Sequence, residues 1–543
     1  MVQVPGPAGP EFDYIIVGAG TAGCLLANRL SADPAHKVLL IEAGGSDNWR
    51  WINIPVGYLY CIGNPRSDWC YRTQPDPGIN NRSLGYPRGR VLGGSSAING
   101  MIYMRGQAAD YDGWAASGNT GWSWQDVLPV FKDVEDHHAG ASEFHGAAGT
   151  WRVERQRLSW AILDAFRQAA SQAGIPSIED FNRGDNEGCA YFEVNQRRGV
   201  RWTAAKAFLH PIAHRANLTI LPEAQAEQIL FNGRKAVGLR YTCAGTSVNA
   251  LARSEVILAA GAIGSAQLLQ VSGIGPGALL QSLGIPVVHD LPGVGQNLQD
   301  HLQLRLIYKV HGAKTLNTMV SSVWGKALMG LQYATQKKGP LSMAPSQLGA
   351  FARSSPQQAR ANLQYHVQPL SLDKFGEPLH TFPAITASVC NLRPASRGHV
   401  AITSPLATVA PSILCNYLST SDDREVAADS IRLTRRIMAQ AALAPFQPQE
   451  YRPGPQCQSQ SELETAAGDI GTTIFHPVGT CKMGVDAMAV VDPQLKVHGI
   501  QRLRVVDASI MPTITSGNTN SPALMIAEKG ARFILEDRRL SGS

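Results

Sequence analysis

The pattern of hydrophobic and polar positions is clearest near the N-terminus of the chain. Tyr14 to Val17 is a short apolar run that predicts a buried parallel strand. The apolar positions then take helical spacing, at Leu25, Leu26, Ala27 and Leu30. A second apolar run, Val38 to Ile41, predicts another strand. The chain is therefore expected to open with a βαβ unit.

A glycine-rich turn joins the first strand to the helix. Gly18 permits the tight turn, Gly20 lets the backbone approach a pyrophosphate, and Gly23 lets the helix pack closely on the strand. The N–H groups at the helix start, around Thr21 and Ala22, are free to bind phosphate. Glu42 ends the second strand, where its carboxylate can accept ribose hydroxyls and would repel a 2′-phosphate. The predicted ligand is FAD or NAD rather than NADP.

Two irregular stretches follow. The segment after Ala43 to about Pro87 is rich in Trp and Tyr, and we interpret it as a lid or cofactor cover rather than a surface excursion. The Gly93-Gly94-Ser95-Ser96 stretch can form an anion-binding nest, although a Gly/Ser loop alone is more often a linker. Asn99 and Gly100 could set amide groups against a planar ring.

Composition describes an ordinary globular protein of 543 residues, 44% hydrophobic and 17% charged, with net charge +6. Its basic residues occur singly or in pairs, which argues against nucleic-acid binding. Nine cysteines without a CxxC pair favour a reducing compartment. We see no signal-peptide pattern and no apolar run long enough to span a membrane, and we expect a cytoplasmic protein with peripheral membrane contact as an option.

The motifs together resemble those of one family. The βαβ unit with LLIEAG, the segment RGRVLGGSSAINGMIYMRG (Arg88 to Gly106), EVILAAGAIGSAQLLQVSGIG (Glu255 to Gly275) and LPGVGQNLQDH (Leu291 to His301) are similar to those of glucose–methanol–choline (GMC) oxidoreductases. Ala266 replaces a usual Pro or Ser, a minor departure. The resemblance spans nearly the whole chain and implies FAD rather than NAD.

Later apolar runs predict how the domains are assembled. Val256 to Ala260, followed by Gly261, and Leu503 to Val506, followed by Asp507, read as strands that return to the first sheet. We therefore predict an α/β chain, α+β overall. Its Rossmann-like FAD-binding domain comprises residues 1–155, 212–300 and 464–543. Residues 156–211 and 301–463 would form a substrate domain with an antiparallel sheet and helices, as the family implies.

The resemblance also implies a set of FAD-binding residues. Asp507 is expected at a ribityl hydroxyl, Phe475 and Ala508 beside the cofactor, and the backbone of Ala226 at the adenine. Ser521 as N-cap and Pro522 as first helical residue would start a helix that faces the negative charge of reduced flavin. The full expected set is Gly18, Gly20, Thr21, Ala22, Gly23, Glu42, Ala43, Trp69, Arg90, Leu92, Gly93, Gly94, Ser95, Asn99, Gly100, Met101, Ile102, Ala226, Ala260, Gly261, Phe475, Asp507, Ala508, Asn520, Ser521 and Pro522.

Two residues are predicted to be catalytic. Oxidation of an alcohol by flavin needs a base for the hydroxyl proton, and His476, in IFHPVGT, matches the family's catalytic histidine. Asn520 is expected to orient the substrate oxygen beside it, with helix capping as its alternative role. Hydride would pass to flavin N5.

Two residues differ from those at the same positions in some relatives, and they indicate how the cofactor is attached and which class of substrate is oxidised. Ile98 stands where some relatives attach FAD through a histidine, so we predict non-covalent FAD. Gln303 stands where choline-specific relatives carry a glutamate, which favours an uncharged alcohol over choline.

Several alternatives stay open. The alternative functions are a choline dehydrogenase, a hydroxynitrile lyase and a flavin-binding protein without catalysis. The electron acceptor is either oxygen, as in an oxidase, or a quinone or similar acceptor, as in a dehydrogenase, and we favour the dehydrogenase. The sequence gives neither the alcohol nor the oligomeric state.

Three other groups of residues are expected to have structural roles. Glu135 to His138 reads as a solvated turn, and His210 with His214 lacks a third ligand, so no metal site is predicted. Cys481 is expected to be a buried spectator. The stretch around Trp324, Leu328 and Leu331 could be a membrane or partner surface, but we favour core or lid packing.

Overall fold

The fold was analysed in a computed structural model that describes residues 9–320, 323–373 and 377–541. The strands are, in chain order, β1 Glu11–Val17, β2 Val38–Ile41, β3 Tyr71–Arg72, β4 Gly85–Tyr86, β5 Glu135–His137, β6 Trp151–Arg155, β7 Gly188–Tyr191, β8 Glu193–Val194, β9 Gln196–Arg197, β10 Val200–Arg201, β11 Leu218–Leu221, β12 Ala224–Asn232, β13 Lys235–Cys243, β14 Thr246–Leu258, β15 Ile274–Gly275, β16 His289–Asp290, β17 Leu302–Lys309, β18 Leu348–Ala352, β19 Leu363–Gln368, β20 Ala384–Asn391, β21 His399–Ala401, β22 Ser412–Leu414, β23 Gln449–Arg452, β24 Gly471–Thr473 and β25 Leu503–Val505.

The α-helices are α1 Thr21–Leu30, α2 Arg50–Asn53, α3 Tyr58–Cys61, α4 Ala108–Ala116, α5 Trp124–Val134, α6 Ala161–Gln172, α7 Gly261–Val271, α8 Gly277–Ser282, α9 Leu316–Val320, α10 Val323–Gln336, α11 Ser421–Met438, α12 Gln460–Ile470 and α13 Asn520–Ser541. Short 3₁₀ turns add to these, among them Gly94–Ala97 and Pro340–Ser342.

The first sheet has seven strands in the order β11-β2-β1-β14-β13-β12, with β25 also paired to β14. The strands β11, β2, β1 and β25 run parallel to their partners, as does β14 where it pairs with β1, and β12 and β13 add an antiparallel meander. The register sets Val17 beside Ile41 and Leu258, so the carboxyl ends of these strands share one edge. Ligands of open α/β sheets bind at this edge.

The second sheet is antiparallel, in the order β23-β17-β20-β19-β18-β7, with β24 paired to β17. Its strands β17 to β20 are buried almost throughout because helices α6 and α11 pack near them. A second hydrophobic core lies around this sheet, separate from the core around the first sheet.

The predicted βαβ unit, the two returning strands and the antiparallel second sheet are confirmed. Three details differ from the expectations. The Trp/Tyr-rich segment contains short helices and strands, α2, α3, β3 and β4. The strand β24 pairs with the second sheet although we assigned its residues to the FAD-binding domain. The last helix begins at Asn520, so Ser521 and Pro522 lie within its first turn rather than at the N-cap and first helical positions.

The helix α10 departs further from the expectation of core or lid packing. Trp324, Leu328 and Leu331 are 80%, 64% and 61% exposed, whereas Met329 and Tyr333 on the opposite side are buried. The hydrophobic spacing identifies the helix but cannot say which of its faces is covered. Within the described ranges, no helix combines the length and hydropathy needed to cross a bilayer.

Candidate active site

One large cavity opens at the carboxyl edge of the first sheet and extends to the second sheet. Three helices, α1, α7 and α13, begin at its wall with Thr21, Gly261 and Asn520. Their free backbone N–H groups and helix dipoles make the cavity favourable for an anionic ligand. The predicted site residues that line the cavity are Gly18, Gly20, Thr21, Ala22, Glu42, Ala43, Trp69, Gly94, Ser95, Asn99, Gly100, Met101, Ile102, Ala226, Ala260, Gly261, Phe475, His476, Asp507, Ala508 and Asn520.

The glycine-rich turn and the Gly/Ser loop meet at this wall. A Cβ on Gly94 would lie 2.6 Å from the Cα of Gly20, and Gly94 has φ +52°, so the backbone of Gly94 approaches Gly20 as only glycine allows. Gly23 lies behind them, where a Cβ would lie 1.8 Å from the Gly18 carbonyl oxygen. The Nδ2 of Asn520 is buried without a partner among the described residues, although the residue lines the cavity. These features fit a bound dinucleotide that supplies the missing acceptor.

Two carboxylates face this half of the cavity. Glu42 accepts N–H groups from Ala19 at 2.9 Å and Gly44 at 2.8 Å, and burial raises its pKa to about 7. Asp507 accepts the Gly261 N–H at 2.9 Å and the Ser265 hydroxyl at 2.6 Å. Both side chains are therefore fixed at the sheet edge where the predicted ribose and ribityl groups would lie.

A few expected cofactor-binding residues lie behind the lining instead of in it. The Arg90 guanidinium stacks on the Trp69 ring at 5.0 Å, the Leu92 N–H donates to Gly45, and the Gly93 N–H donates to Ala19. Ser521 and Pro522 follow the helix start at Asn520 and are likewise outside the lining, as is Gly23. These residues shape the wall from behind, and their assignment as cofactor-binding residues stays a prediction.

Asp300 positions the predicted catalytic histidine. Its buried Oδ1 accepts the backbone N–H of His476 at 2.8 Å and that of His301 at 2.9 Å. Its Oδ2 accepts the hydroxyls of Tyr417 at 2.5 Å, Thr473 at 2.6 Å and Tyr86 at 3.1 Å. Five donors offset the cost of burying this carboxylate, although burial still raises its pKa.

A hydrogen-bond chain assigns the tautomer of His476. The His301 Nε2 lies 3.1 Å from the Leu392 carbonyl, which can only accept, so His301 carries its proton there. Neutral His301 then accepts at Nδ1 from the Nδ1–H of His476, over 3.0 Å. This leaves the lone pair of His476 on Nε2, at the cavity. The arrangement presents an unprotonated imidazole nitrogen to a ligand.

The amide beside this nitrogen belongs to Asn518 rather than Asn520. Asn518 Nδ2 lies 3.0 Å from His476 Nε2, and its Oδ1 accepts from Gln364 Nε2 at 3.2 Å. Asn520 Oδ1 instead accepts the Thr21 hydroxyl at 2.8 Å, between the starts of α13 and α1. The expected pairing of Asn520 with His476 is therefore corrected: the helix begins two residues beyond Asn518, which places Asn518 in the loop facing the imidazole.

The electrostatics of the cavity hold His476 neutral. Its pKa is well below 6.5, chiefly because it is buried and secondarily because of the nearby His301, His366 and Arg88. Burial also lowers the pKa of His301 to about 4 and that of His366 to about 3. Arg88 donates to the Phe475 carbonyl at 2.6 Å, and so holds a positive charge close to the imidazole.

The second sheet supplies cavity residues that the sequence analysis did not assign, among them His366 and Gln368 on β19 and Ser346 before β18. Gln303 on β17 also lines the cavity and donates to the Thr473 carbonyl at 3.2 Å. Every residue of β19 is buried, so exposure along the strand does not mark which side chains face a ligand. The residue types do alternate: Gln364, His366 and Gln368 alternate with apolar residues that pack in the core. This alternation is the signal that could have identified His366.

The Glu135 to His138 stretch is not a solvated turn. Glu135 and His137 are buried in β5, and His137 Nε2 and His138 Nε2 both lie within 3 Å of Glu193 Oε1. By distance alone, His137, His138 and Glu193 could hold a metal ion. The same is true of His145, Asp180 and Glu193.

The protonation of these histidines argues against a metal ion. The Ala139 N–H donates to His137 Nδ1 at 3.3 Å, which places the His137 proton on Nε2, toward Glu193. His145 lies between Glu135 and Asp180, and these two carboxylates raise its pKa to about 9, so it is protonated on both nitrogens. The prediction of no metal site stays a prediction. Elsewhere, His210 Nε2 contacts Asp47, and Cys481 is buried with a raised pKa.

Comparison with known proteins agrees with this arrangement. The family models for the N- and C-terminal domains of GMC oxidoreductases match residues 12–303 and 394–527. An alcohol dehydrogenase [acceptor] of Pseudomonas putida is 40% identical over 96% of each chain. Human mitochondrial choline dehydrogenase is 42% identical over 96% of this chain and 90% of its own. The structure of pyridoxine 4-oxidase from Mesorbium loti superimposes with TM-score 0.87 at 33% identity, covering 96% of this chain and 98% of that one. The chain therefore belongs to the GMC oxidoreductase family, as its motifs imply.

Proposed function

We propose that this oxidoreductase binds FAD non-covalently and oxidises an uncharged primary or secondary alcohol to an aldehyde or ketone. FAD is the cofactor of the family, and the cavity fits it: helix starts, close glycines and an orphaned Asn520 amide line the predicted dinucleotide half. When bound, FAD would supply the acceptor for the hydride. Ile98 lines the cavity and offers no nucleophile for covalent attachment.

The observation that carries the proposal is the position of His476 Nε2, 3.0 Å from the Asn518 amide nitrogen, in a hydrogen-bond chain that assigns the ring proton to Nδ1. A substrate hydroxyl placed there donates its proton to Nε2, while Asn518 Nδ2 donates to the substrate oxygen. The general base supplies roughly 10²–10⁴-fold in rate. His301 accepts from the other side of the ring throughout, so it holds the ring orientation and stabilises the imidazolium that forms.

The charges around His476 favour an uncharged alcohol over choline. Among the described residues, the carboxylates that line the cavity are Glu42 and Asp507, and each is bound to backbone N–H groups in the dinucleotide half. The neutral Gln303 and the cationic Arg88 lie in the catalytic half. A quaternary ammonium group would find no carboxylate there to offset its lost hydration.

An anaerobic flavin-reduction assay tests this proposal. Purified protein is mixed with aliphatic, benzylic, furanic, sugar, polyol, glycol-ether and choline substrates while absorbance near 450 nm is followed. We expect bleaching by a neutral alcohol, slowed by roughly 10²–10⁴-fold in His476→Ala. Bleaching by choline alone would replace the proposal with choline dehydrogenase activity. Cleavage of a cyanohydrin without bleaching would replace it with lyase activity.

Two further measurements complete the test. Admitting air separates the acceptors: rapid recolouring indicates an oxidase, and slow recolouring indicates a dehydrogenase that uses a quinone or a similar acceptor. Acid precipitation tests attachment, because yellow colour that stays in the protein pellet would contradict non-covalent FAD.

A further inference from the structure

The helix α10 presents an apolar face to solvent. Trp324, Leu328 and Leu331 are separated by four and three residues, so they lie on one side of the helix. Ala327, Ala334 and Thr335 are exposed on the same side and are uncharged. We call these six residues the α10 face. Buried Met329 and Tyr333 attach the opposite side of the helix to the protein.

Basic residues gather at the C-terminal end of this face. Lys337 and Lys338 follow the helix directly, and Lys338 is exposed. The Tyr333 hydroxyl donates to the Gly199 carbonyl at 3.1 Å, and a Cβ on Gly199 would lie 2.1 Å from the Lys337 carbonyl oxygen. This contact brings the exposed pair Arg197 and Arg198 beside the lysines. We call these four cations the basic cluster; one carboxylate, Glu154, lies beside it and accepts the Arg198 N–H at 3.0 Å.

The surrounding sequence adds no negative charge. Between His301 and Leu372 it contains eight Lys or Arg and no Asp or Glu. The whole chain contains 48 Lys or Arg and 42 Asp or Glu, so acidic residues slightly outnumber basic ones outside this segment. Two of these cations pair with acids from outside the segment, Arg353 with Glu187 and Arg360 with Asp110. The positive charge near the α10 face therefore comes mainly from Lys326, Lys337 and Lys338.

We propose that the α10 face docks on an anionic phospholipid surface. Trp and Leu side chains enter the boundary between headgroups and acyl chains, and the basic cluster binds lipid phosphate. The helix is about 21 Å long, shorter than the roughly 30 Å hydrocarbon core, so it lies along the surface. A twofold dimer through this face is disfavoured because it would place the basic cluster of each copy in an interface to which neither α10 helix contributes an acid.

The face is directly connected to the cavity wall. After Lys338 the chain makes the 3₁₀ turn Pro340–Ser342, whose Ser342 carbonyl accepts from Gln196 at 3.0 Å, and then reaches cavity-lining Pro345 and Ser346. Docking would therefore hold the substrate side of the cavity close to the lipid. The binding itself does not depend on the proposed alcohol oxidation, and it can be measured without turnover.

Vesicle sedimentation of the FAD-loaded enzyme tests the proposal. Vesicles of phosphatidylcholine alone are compared with vesicles that also contain phosphatidylglycerol, and flavin absorbance reports bound protein. We expect binding to the anionic vesicles that weakens with added salt. Lys337→Glu with Lys338→Glu should weaken it by about tenfold or more. Trp324→Glu with Leu328→Glu should abolish it.

A matched control separates docking from general surface effects. Val485 is 67% exposed and lies elsewhere on the molecule, so Val485→Glu should bind as the unmodified enzyme does. Unchanged flavin content and melting temperature of each variant show that it is folded. Failure of the unmodified enzyme to sediment with anionic vesicles, or equal binding by the α10 variants, overturns the proposal. A lipid-free dimer that dissociates on Trp324→Glu, without vesicle binding, assigns the face to a second copy instead.

Discussion

Asp300 Oδ1 accepts the backbone N–H of His476 at 2.8 Å, and the same oxygen accepts the N–H of His301. One carboxylate thereby sets the backbone positions of both imidazoles. Asp300→Asn replaces a charged acceptor with a neutral amide and leaves at least one buried donor unmatched. We expect a stability loss of roughly 1–3 kcal/mol and a fall in kcat of about 10²-fold, because His476 shifts. Thermal unfolding and anaerobic flavin reduction measure the two effects.

The matched control for Asp300 is Tyr417→Phe, which removes a single donor at Oδ2 and leaves the Oδ1 contacts in place. It should cost stability without a comparable loss of kcat. Equal loss of kcat in both variants would contradict the role given to Oδ1.

The two asparagines near the last helix should have separable effects. Asn518→Ala removes the amide beside His476 Nε2, and we expect kcat to fall by roughly 10²-fold with normal flavin content. Asn520→Ala removes the acceptor of the Thr21 hydroxyl at the dinucleotide end, and we expect weaker FAD retention with a smaller change in kcat at saturating FAD. If Asn520→Ala loses more kcat than Asn518→Ala, Asn520 is the amide that acts with His476, as the sequence analysis expected.

The low pKa of His476 predicts the pH dependence of the reaction. A base works when it is unprotonated, so activity should require a pH above the lowered pKa. We expect kcat/KM for a neutral alcohol to stay level as the pH falls through 6.5, the ordinary pKa of histidine, and to decline only in more acidic solution. A decline centred at or above 6.5 would show that burial does not hold the ring neutral.

The close approach of Gly94 to Gly20 predicts that FAD binding requires a glycine at position 94. Gly94→Ala would place a methyl group 2.6 Å from the Gly20 Cα at φ +52°, so FAD content after purification should fall sharply. Gly113→Ala is the matched control, because a Cβ there meets nothing within 4 Å. Full FAD content in Gly94→Ala would show that FAD binding does not require the close approach of Gly94 to Gly20.

His145 should contribute stability that depends on pH. Its pKa is raised to about 9 in the folded state by Asp180 and Glu135, although burial opposes the shift. The contribution is therefore complete below about pH 6.5 and is lost as the pH rises through about 9. The melting temperature of His145→Gln should differ most from the unmodified protein near pH 6 and least near pH 10. A difference that grows with pH would contradict the assignment.

The sequence predicts structural features that depend on adjacent residues better than features that depend on distant parts of the chain. The strand β1, the turn at Gly18 and the helix α1 follow from adjacent residues, and they fold as expected. Asn520 was expected beside His476, where the structure has Asn518, because the local sequence does not fix the start of α13 to within two residues. His366 and Gln364 face the site only because β19 pairs in one register with β18 and β20. The exposure of Trp324 depends on what covers a helix, which its own periodicity does not encode.

The pairing of β1 with β14, and of β14 with β25, also determines when the first sheet can be completed during synthesis. Val17 pairs with Leu258, which in turn pairs with Val505, so each strand emerges from the ribosome on the order of tens of seconds after its partner. Until then the nascent chain holds an apolar strand with an open edge, a target for chaperones or for aggregation. The helix that begins at Asn520 is the last of these elements to be synthesised, so the nascent chain cannot enclose its cofactor before this helix has emerged.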